Sequence, residues 1–281
     1  MNNSMSPLLE SVVLLVRRAG AELLRYFRAP VSQLGVAHKG PRDLVTRADN
    51  ASETVLIDGL RAMFPEDTIV AEESGRLSNE NERDAGANPD AATWYIDPLD
   101  GTTNFVHFHP VHSISVARYI NGIGSLAVVL APALDECFGA ERGRGCFWNG
   151  RRVRVAAEVE MRDALLATGF SYARSELGSG GLDCFRVVLE RCRDLRRCGS
   201  AVLDLAYTAA GIYGGFWEYH LKPHDVAAGA LLVAEAGGRV TDVAGGTDFL
   251  FGGSIVVGAP FVHSELLEIL RRGPGHPGAP R

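Results

Sequence analysis

Two carboxylates, a glycine and two hydroxyls stand together near the middle of the chain, directly after a short apolar segment rich in residues that favour strands. The segment is Thr93-Trp94-Tyr95-Ile96, and Asp97-Pro98-Leu99-Asp100-Gly101-Thr102-Thr103-Asn104-Phe105 follows it. Mg²⁺ prefers tight octahedral coordination by oxygen, so two aspartates at the exit of one strand are suitable ligands. The glycine lets the backbone approach a bound group, and the free N–H groups of a helix start attract phosphate. One turn can therefore hold both a metal ion and the phosphate on which it acts.

Ordinary turn chemistry is the alternative for this segment, because an isolated Asp-Gly-Thr triplet commonly caps a helix and turns the chain. The longer string is more specific, since it resembles the signature of the inositol monophosphatase family of metal-dependent, lithium-sensitive phosphatases. The resemblance extends, in order, along most of the chain. The other matching segments are Asp43-Leu44-Val45-Thr46-Arg47-Ala48-Asp49, Ile69-Val70-Ala71-Glu72-Glu73-Ser74, Val106-His107, Gly199-Ser200-Ala201, Trp217-Glu218, Lys222-Pro223-His224-Asp225-Val226-Ala227-Ala228-Gly229 and Leu231-Leu232-Val233-Ala234-Glu235-Ala236-Gly237-Gly238.

The elements that must position these motifs alternate between helices and strands without a strict βαβ rhythm, which indicates an α+β fold. Apolar residues at helical spacing predict helices, and short runs of strand-favouring residues predict strands. The predicted helices are 7–27, 49–63, 182–194, 200–211, 226–236 and 264–272, and the predicted strands are 68–71, 93–96, 113–119, 124–130, 136–140, 164–168 and 255–258. Loops are expected over 77–92 and from the end of the strand 164–168 through Gly181. Asn149-Gly150 predicts a hairpin turn.

The family resemblance implies a layered αβαβα sandwich of the inositol monophosphatase and fructose-1,6-bisphosphatase type, with the active site between two halves. We expect the first half, residues 1–154, to carry most of the metal ligands. The second half, residues 155–272, is expected to carry Asp225 and the substrate side. The Gly- and Pro-rich end, 273–281, is predicted to be disordered.

Composition excludes several other classes of protein. The chain has 281 residues, 46% of them hydrophobic, and a net charge of −6, which argues against a general nucleic-acid binder because such proteins need clustered lysine and arginine. The sequence shows no apolar signal segment and no run of membrane length, so no membrane partner is expected. Five cysteines, an odd number without a Cys-x-x-Cys pair, favour free thiols and a cytoplasmic location.

The resemblance assigns a set of metal ligands. It implies that Glu72, Asp97, Asp100 and Asp225 supply carboxylate oxygens and that Leu99 supplies its backbone carbonyl. Oxygen donors of this kind suit two or three Mg²⁺ ions, whereas zinc and copper favour imidazole or thiolate. For the last aspartate, which precedes a helix, an N-cap is the alternative role.

A water-activating pair is also implied by the resemblance: Thr102 with Asp49 behind it, while Glu72 orients the same water molecule. The N-cap of the second helix is an equally common role for Asp49, and the two roles are compatible. We expect Glu73 to support the site from behind. Two roles stay open for Lys39, a cation at the phosphate or metal position and an exposed side chain.

Substrate contacts are implied on both sides of the metal motif. They are Leu99, Asp100, Gly101, Thr102, Arg196, Gly199, Ser200, Ala201, Glu218 and Asp225. The resemblance places Glu218 against a ring hydroxyl of the substrate and implies a homodimer, in which Arg196 contacts either the substrate or the neighbouring subunit.

Three places depart from the family's usual pattern: Phe108-His109, Ser171–Arg174 and His224. The first and the last fall near the pocket, so they bear on substrate preference more than on catalysis. We expect His224 to serve in packing or in support of the site, because a lone histidine there is more often structural than catalytic.

These assignments predict a Mg²⁺-dependent phosphomonoesterase that hydrolyses inositol monophosphate to inositol and phosphate. Its expected partner is a small phosphorylated polyol or sugar. Fructose 1,6-bisphosphate, histidinol phosphate and 3′-phosphoadenosine nucleotides are alternative substrates, although Thr103 stands where the nucleotide branch usually has lysine. A non-catalytic regulatory protein on the same fold would predict the loss of a metal ligand, yet each expected ligand is present.

Overall fold

The computed structural model describes residues 4–40, 43–77, 92–170 and 178–272. In these ranges helices and sheets alternate in five layers, which is the αβαβα sandwich that the family resemblance implies. The interior of the predicted loop 77–92, the segment Ser171–Arg174 and the tail 273–281 lie outside the described residues.

The outermost layer on one side holds two amphipathic helices, α1 and α3, which pack on each other and on the first sheet. Ser6 caps α1 (Pro7–Tyr26), and its hydroxyl accepts a hydrogen bond from the first turn at 3.1 Å. Helix α3 (Arg47–Met63) begins two residues before its predicted start, because Thr46 and not Asp49 is the N-cap. Between these helices lie α2 (Val31–Leu34), β1 (Ala37–His38) and β2 (Leu44–Val45).

Eight strands form the first sheet. They are β3 (Thr68–Ala71), β4 (Gly75–Leu77), β5 (Ala92–Asp100), β6 (Ser113–Ile120), β7 (Ile123–Ala131), β8 (Glu136–Glu141), β9 (Gly145–Trp148) and β10 (Arg151–Val153). Their order is β10-β9-β8-β7-β6-β5-β3-β4, and only the β3–β5 pair is parallel among these neighbours. Strand β5 extends four residues beyond its predicted end at Ile96, because a register shift against β6 between Asp97 and Asp100 accommodates Pro98.

Two helices fill the space between the sheets. Helices α6 (Ala201–Ala209) and α7 (Pro223–Glu235) pack against each other and contact strands of both sheets. Their residues are apolar on nearly every face, as expected for helices that are covered from both sides. Helix α7 starts three residues before its predicted start, because Pro223 occupies the first helical position after the cap residue Lys222.

Five strands form the second sheet, and two helices cover its outer face. The strands are β11 (Leu165–Thr168), β12 (Asp194–Arg196), β13 (Gly215–Tyr219), β14 (Arg239–Thr241) and β15 (Ser254–Gly258), and their order is β12-β11-β13-β15-β14. The outer helices are α5 (Gly178–Arg191) and α8 (Pro260–Arg272), and the short α4 (Thr102–Val106) follows β5. The sequence prediction missed β12, β13 and β14, whose lengths of three to five residues give too little periodicity to detect.

Other expectations can be compared with the same layers. The predicted loop up to Gly181 is wrong in its last part, because α5 already begins at Gly178. The first sheet ends at Val153 and the second begins at Leu165, while the division into halves at residue 155 stays a prediction. All five cysteines lie in the described part of the chain and are free thiols. Among the described helices, none combines the length and the apolar character that a membrane crossing requires.

Candidate active site

A cavity opens where the end of the central strand β5 meets the starts of α6 and α7. Residues of both halves line it: Asp43, Glu72, Asp100, Gly169, Phe170, Arg197, Gly199, Ser200, Ala201, Asp204, Glu218, His220, Leu221, Lys222, His224 and Asp225. Seven of the residues that the sequence assigned to the site are among them. The fold therefore brings together motifs that lie more than 150 residues apart in the chain.

Gly101 makes the sharp turn from β5 into α4. Its φ of 87° is left-handed, and a Cβ atom at this position would lie 3.0 Å from the carbonyl oxygen of Gly199 and 3.2 Å from that of Val111. Only glycine allows this approach. The turn places the first residue of α4, Thr102, directly behind the metal motif.

In both Asp97 and Asp100, one carboxylate oxygen accepts hydrogen bonds from the protein. Oδ1 of Asp97 accepts a hydrogen bond from the Leu99 N–H at 2.9 Å. Oδ2 of Asp100 accepts from the Ser200 hydroxyl at 2.5 Å and from the Val202 N–H at 2.9 Å, so this aspartate also holds the start of α6. The second oxygen of each accepts no hydrogen bond from a described residue, which leaves it available for a cation.

The other two predicted ligands come from a strand end and a helix start. Glu72 follows β3, and its Oε1 accepts a hydrogen bond from the Lys39 ammonium at 2.8 Å. Lys39 also pairs with Glu73, so the structure supports its interpretation as a cation of the site. Asp225 lies in the first turn of α7, where its Oδ2 accepts from the Lys222 N–H at 2.6 Å. Capping and an approach to a cation are thus compatible for Asp225, because Oδ1 is not used in the cap.

Burial and mutual repulsion make these acids difficult to ionise together. Burial raises the pKa of Asp97 well above its usual range, and the charges of Glu72, Asp100 and Asp225 raise it further. Burial also raises the pKa of Asp100 to about 7 and that of Asp225 to about 7. A cation among them would offset this repulsion and favour the ionised forms. We refer to Glu72, Asp97, Asp100 and Asp225 as the motif side of the site; Asp97 is buried and does not itself line the cavity.

The motif side has the chemistry that Mg²⁺ requires. Its donors are carboxylates together with the Leu99 carbonyl that the resemblance implies. All of these are hard oxygen ligands. As the side chains stand, no three His, Cys, Asp or Glu residues in the described ranges are grouped closely enough to hold a metal ion. Lys39 engages Glu72 in this arrangement, so we expect a bound cation to compete with the lysine and to draw the remaining oxygens inward.

Thr102 and Asp49 form the pair that the sequence predicted. The Thr102 hydroxyl lies 3.3 Å from Oδ1 of Asp49 and 3.1 Å from the Leu99 carbonyl oxygen. Oδ2 of Asp49 accepts from the backbone N–H and the hydroxyl of Thr46, at 2.8 and 2.6 Å, which completes the capping box of α3. One buried carboxylate therefore caps α3 and also contacts the Thr102 hydroxyl, and burial raises the pKa of Asp49 to about 7.

A second wall of the cavity comes from β11, β13 and α6, and consists of Gly169, Arg197, Asp204 and Glu218. Glu218 is buried, and burial raises its pKa to about 8. Gly169 lies directly against it, since a Cβ atom there would be 1.9 Å from Oε2 of Glu218. Arg197 donates through Nη2 to the Phe170 carbonyl oxygen at 3.3 Å.

The sequence analysis named Arg196 and missed its neighbour. Arg196 is exposed in β12, pairs with Asp194 at 2.7 Å and does not line the cavity. Arg197 lines it instead, because consecutive residues of an extended chain point to opposite sides. Asp204 was also missed, although its spacing offered a signal: it follows Ser200 by four residues, which is one turn of helix.

The residues that depart from the family pattern differ in how deeply they are buried. His224 is buried, its carbonyl oxygen accepts from the Ser115 hydroxyl at 3.1 Å, and burial lowers its pKa to about 4. These contacts fit the packing role expected for it. Phe108 is partly exposed and, like His109, does not belong to the residues that line the described cavity.

The family's sequence model now decides between the resemblance and chance. It matches residues 4–273 under the description inositol monophosphatase family. This chain belongs to the inositol monophosphatase family. Two relatives carry different names: Nus factor SuhB of Escherichia coli K12, 40% identical over 267 residues, and inositol-1-monophosphatase of Mesorhizobium japonicum, 38% identical over 267 residues. In both cases the match covers 95% of this chain and 97% of the relative.

A solved structure supports the same placement within the inositol monophosphatase family. The native crystal structure of extragenic suppressor protein SuhB from Bartonella henselae superimposes with a TM-score of 0.88 at 37% identity. The superposition covers 95% of this chain and 99% of that chain. Fold and family are thereby established, while the names of the relatives point to two different functions.

Proposed function

We propose that this inositol monophosphatase family member is a Mg²⁺-dependent phosphomonoesterase that hydrolyses inositol monophosphate to inositol and phosphate. The observation that carries the proposal is the Thr102–Asp49 pair placed behind the carboxylates of the motif side. Family membership and the name of the Mesorhizobium relative favour the same activity. A homodimer, lithium sensitivity and a cytoplasmic location stay predictions from the resemblance.

In the proposed hydrolysis, different residues bind the metal ions and transfer the proton. Glu72, Asp97, Asp100, Asp225 and the Leu99 carbonyl would hold the ions; bound Mg²⁺ lowers the pKa of a water molecule and offsets charge on the leaving oxygen. The Thr102 hydroxyl can accept a proton from water while it passes its own proton to Oδ1 of Asp49, 3.3 Å away. With a pKa of about 7, Asp49 is suited to accept a proton near neutral pH.

Phosphate is positioned by the turn that follows β5. The N–H groups at the start of α4 and the cation on Lys39 favour an anion at this end of the cavity. Phosphoryl transfer requires mainly positioning and neutralisation of charge, so the proposed mechanism needs no cysteine or histidine nucleophile. The second wall is left for the alcohol part of the substrate, with Glu218 in reach of a hydroxyl group.

The test is phosphate release from a panel of esters, with and without Mg²⁺, by the wild type and by Asp97→Asn. The panel contains inositol 1-phosphate, fructose 1,6-bisphosphate, 3′-phosphoadenosine 5′-phosphate and histidinol phosphate. We expect Mg²⁺-dependent turnover that is highest on inositol 1-phosphate and that falls by about 10³-fold or more in Asp97→Asn. Asp58→Asn, at an exposed aspartate on the outer helix α3, is the matched control. A different best substrate would contradict the assigned specificity, and no turnover on any ester would contradict the phosphatase function.

A second candidate function follows from the name of the Escherichia coli relative, Nus factor SuhB, at 40% identity. A role of that kind would be separate from hydrolysis if it did not depend on the carboxylates of the motif side. Complementation of an Escherichia coli strain that lacks SuhB, by the wild type and by Asp97→Asn, separates the two functions. Growth restored equally by both would support a role independent of catalysis, and growth restored by the wild type alone would tie the role to the active site.

A further inference from the structure

Asp204 has a carboxylate oxygen that no described residue contacts by a hydrogen bond. The side chain lies in the first turn of α6, is 1% exposed and lines the cavity. Its Oδ1 is buried without a hydrogen-bond partner among the described residues. A buried polar atom left in this way costs free energy, so a native structure normally supplies a partner. The proposed mechanism gives Asp204 no task.

The neighbours of Asp204 do not supply that partner. The Cys198 thiol hydrogen-bonds to the carboxyl group, yet Oδ1 stays without a contact. Arg197 is close enough to influence the carboxyl electrostatically, but it donates to the Phe170 carbonyl oxygen and forms no ion pair with Asp204 in the described residues. Since the described residues offer no donor, a donor that enters through the cavity is the partner that the position of Oδ1 favours.

The position of Asp204 defines what such a donor would be. Ser200, one turn earlier on the same helix, lies against the Asp100 carboxylate of the motif side, and Glu218 of the second wall is near enough to feel the charge of Asp204. The space that Asp204 borders is therefore the space left for the alcohol part of a phosphate ester. The groups on such an alcohol that donate hydrogen bonds are its hydroxyls.

We propose that Asp204 is a specificity-determining residue, whose Oδ1 accepts a hydrogen bond from a second ring hydroxyl of the substrate, beside the hydroxyl expected at Glu218. The inference rests on the proposed phosphatase function and adds to it a second contact with the alcohol part of the substrate.

The experiment compares two esters in the Mg²⁺-loaded full chain. Inositol 1-phosphate offers several hydroxyls, and p-nitrophenyl phosphate offers none. The ratio of kcat/KM for the first to that for the second is expected to fall about tenfold in Asp204→Ala, because a hydrogen bond that only the polyol ester makes is lost. Asp204→Asn keeps the shape and one acceptor oxygen, so we expect it to recover part of the lost selectivity.

Thr208→Val is the matched control. Thr208 is buried on the same helix one turn further on, its hydroxyl bonds only to the Asp204 carbonyl oxygen, and it does not line the cavity. It tests whether a disturbed α6 alone changes the ratio, and we expect a change of less than about twofold, as for a site that contacts no ligand.

Three results would overturn the inference, and they differ from one another. A loss in Asp204→Ala that is equal for both esters would assign the residue a purely structural role. The same fall in selectivity in Thr208→Val would attribute the effect to the helix. An Arg197→Met variant that reproduces the selectivity loss would show that Arg197 and Asp204 act as an ion pair. Absence of turnover on both esters in the wild type would instead overturn the phosphatase function and this inference with it.

Discussion

The two sides of the cavity hold their acidic groups in different ways. On the motif side, Asp97, Asp100 and Asp225 each bind a backbone N–H through one oxygen. On the second wall, Oδ1 of Asp204 has no hydrogen-bond partner among the described residues, and the Glu218 carboxylate lies against Gly169. Under the proposed function, the difference teaches that the chain itself fixes the groups assigned to the metal, whereas the substrate completes the groups assigned to its alcohol part.

The largest effect is expected on the motif side, from Thr102→Ala. This change removes the hydroxyl that joins Asp49 to the cavity, so kcat should fall by about 10²- to 10⁴-fold, the usual range for a lost proton-transfer group. Thr102→Ser keeps the hydroxyl and should retain most of the rate. Initial rates at saturating Mg²⁺ give the result, and a loss below tenfold would remove Thr102 from the proton path.

Gly169→Ala should disturb the second wall and leave the motif side in place. The added Cβ atom would lie 1.9 Å from Oε2 of Glu218, so the carboxylate must move. We expect kcat/KM for inositol 1-phosphate to fall about tenfold or more relative to that for p-nitrophenyl phosphate. The matched glycine is Gly124 in β7, where a Cβ atom would meet only the side chains of Tyr119 and Leu231 at 3.3 to 3.4 Å. Equal losses for both esters would show that the two sides are not independent.

Asn104→Ala should separate the two sides from each other. The Asn104 amide donates to the Val111 carbonyl oxygen at 2.6 Å and to the Cys198 carbonyl oxygen at 2.9 Å, which ties α4 to the loop before α6. Loss of both bonds leaves two carbonyls without this donor, and the free energy of unfolding should fall by about 1–3 kcal/mol. Denaturant titration measures this, with Gln33→Ala, the loss of an exposed amide side chain in α2, as the control. An unchanged midpoint would mean that other contacts suffice to join the sides.

The pH dependence of the metal-free protein gives a further test of the motif side. Asp100 and Asp225 have a pKa of about 7 in the folded protein and 3.8 as the ordinary value, so the folded state binds more protons between these limits. Stability should therefore fall as the pH rises from about 4 to 7. Mg²⁺ requires ionised carboxylates, so the rise in Tm that it causes should be larger at pH 8 than at pH 5.5. Each additional kcal/mol of binding free energy should raise Tm by about 2–4 °C. Thermal unfolding in EDTA and in Mg²⁺ tests both statements, and a shift independent of pH would contradict the raised pKa values.

Sequence reasoning reached the motif side partly because some of its groups are close along the chain and partly through the family resemblance, which alone assigned Glu72 and Asp225 to it. Asp97, Asp100 and Thr102 lie on one strand, turn and helix, so their spacing already implies their meeting. The second wall depends on β13, a strand of five residues, and on a register between sheets that no local pattern contains. Arg197 could not be told from Arg196 without the direction of β12.

Boundaries were predicted less well than the elements themselves, for local reasons. Helix α7 was expected to open at Asp225, but a capping box between Lys222 and Asp225 moves its start to Pro223. Strand β5 continues through Pro98, which the sequence alone marks as a break. The length of both elements is decided by partners elsewhere in the fold.

The hydrogen bonds of Asp100 relate the order in which the chain folds to the point at which activity appears. Its Oδ2 is bound by Ser200 and Val202, which lie about a hundred positions away in the chain, so the start of α6 must arrive before this carboxylate has its final orientation. Contacts between distant parts of a chain form late, because closing a long loop costs entropy that local structure does not. A refolding population should therefore regain its helical circular dichroism before it regains turnover, and neither half should hydrolyse an ester when expressed alone.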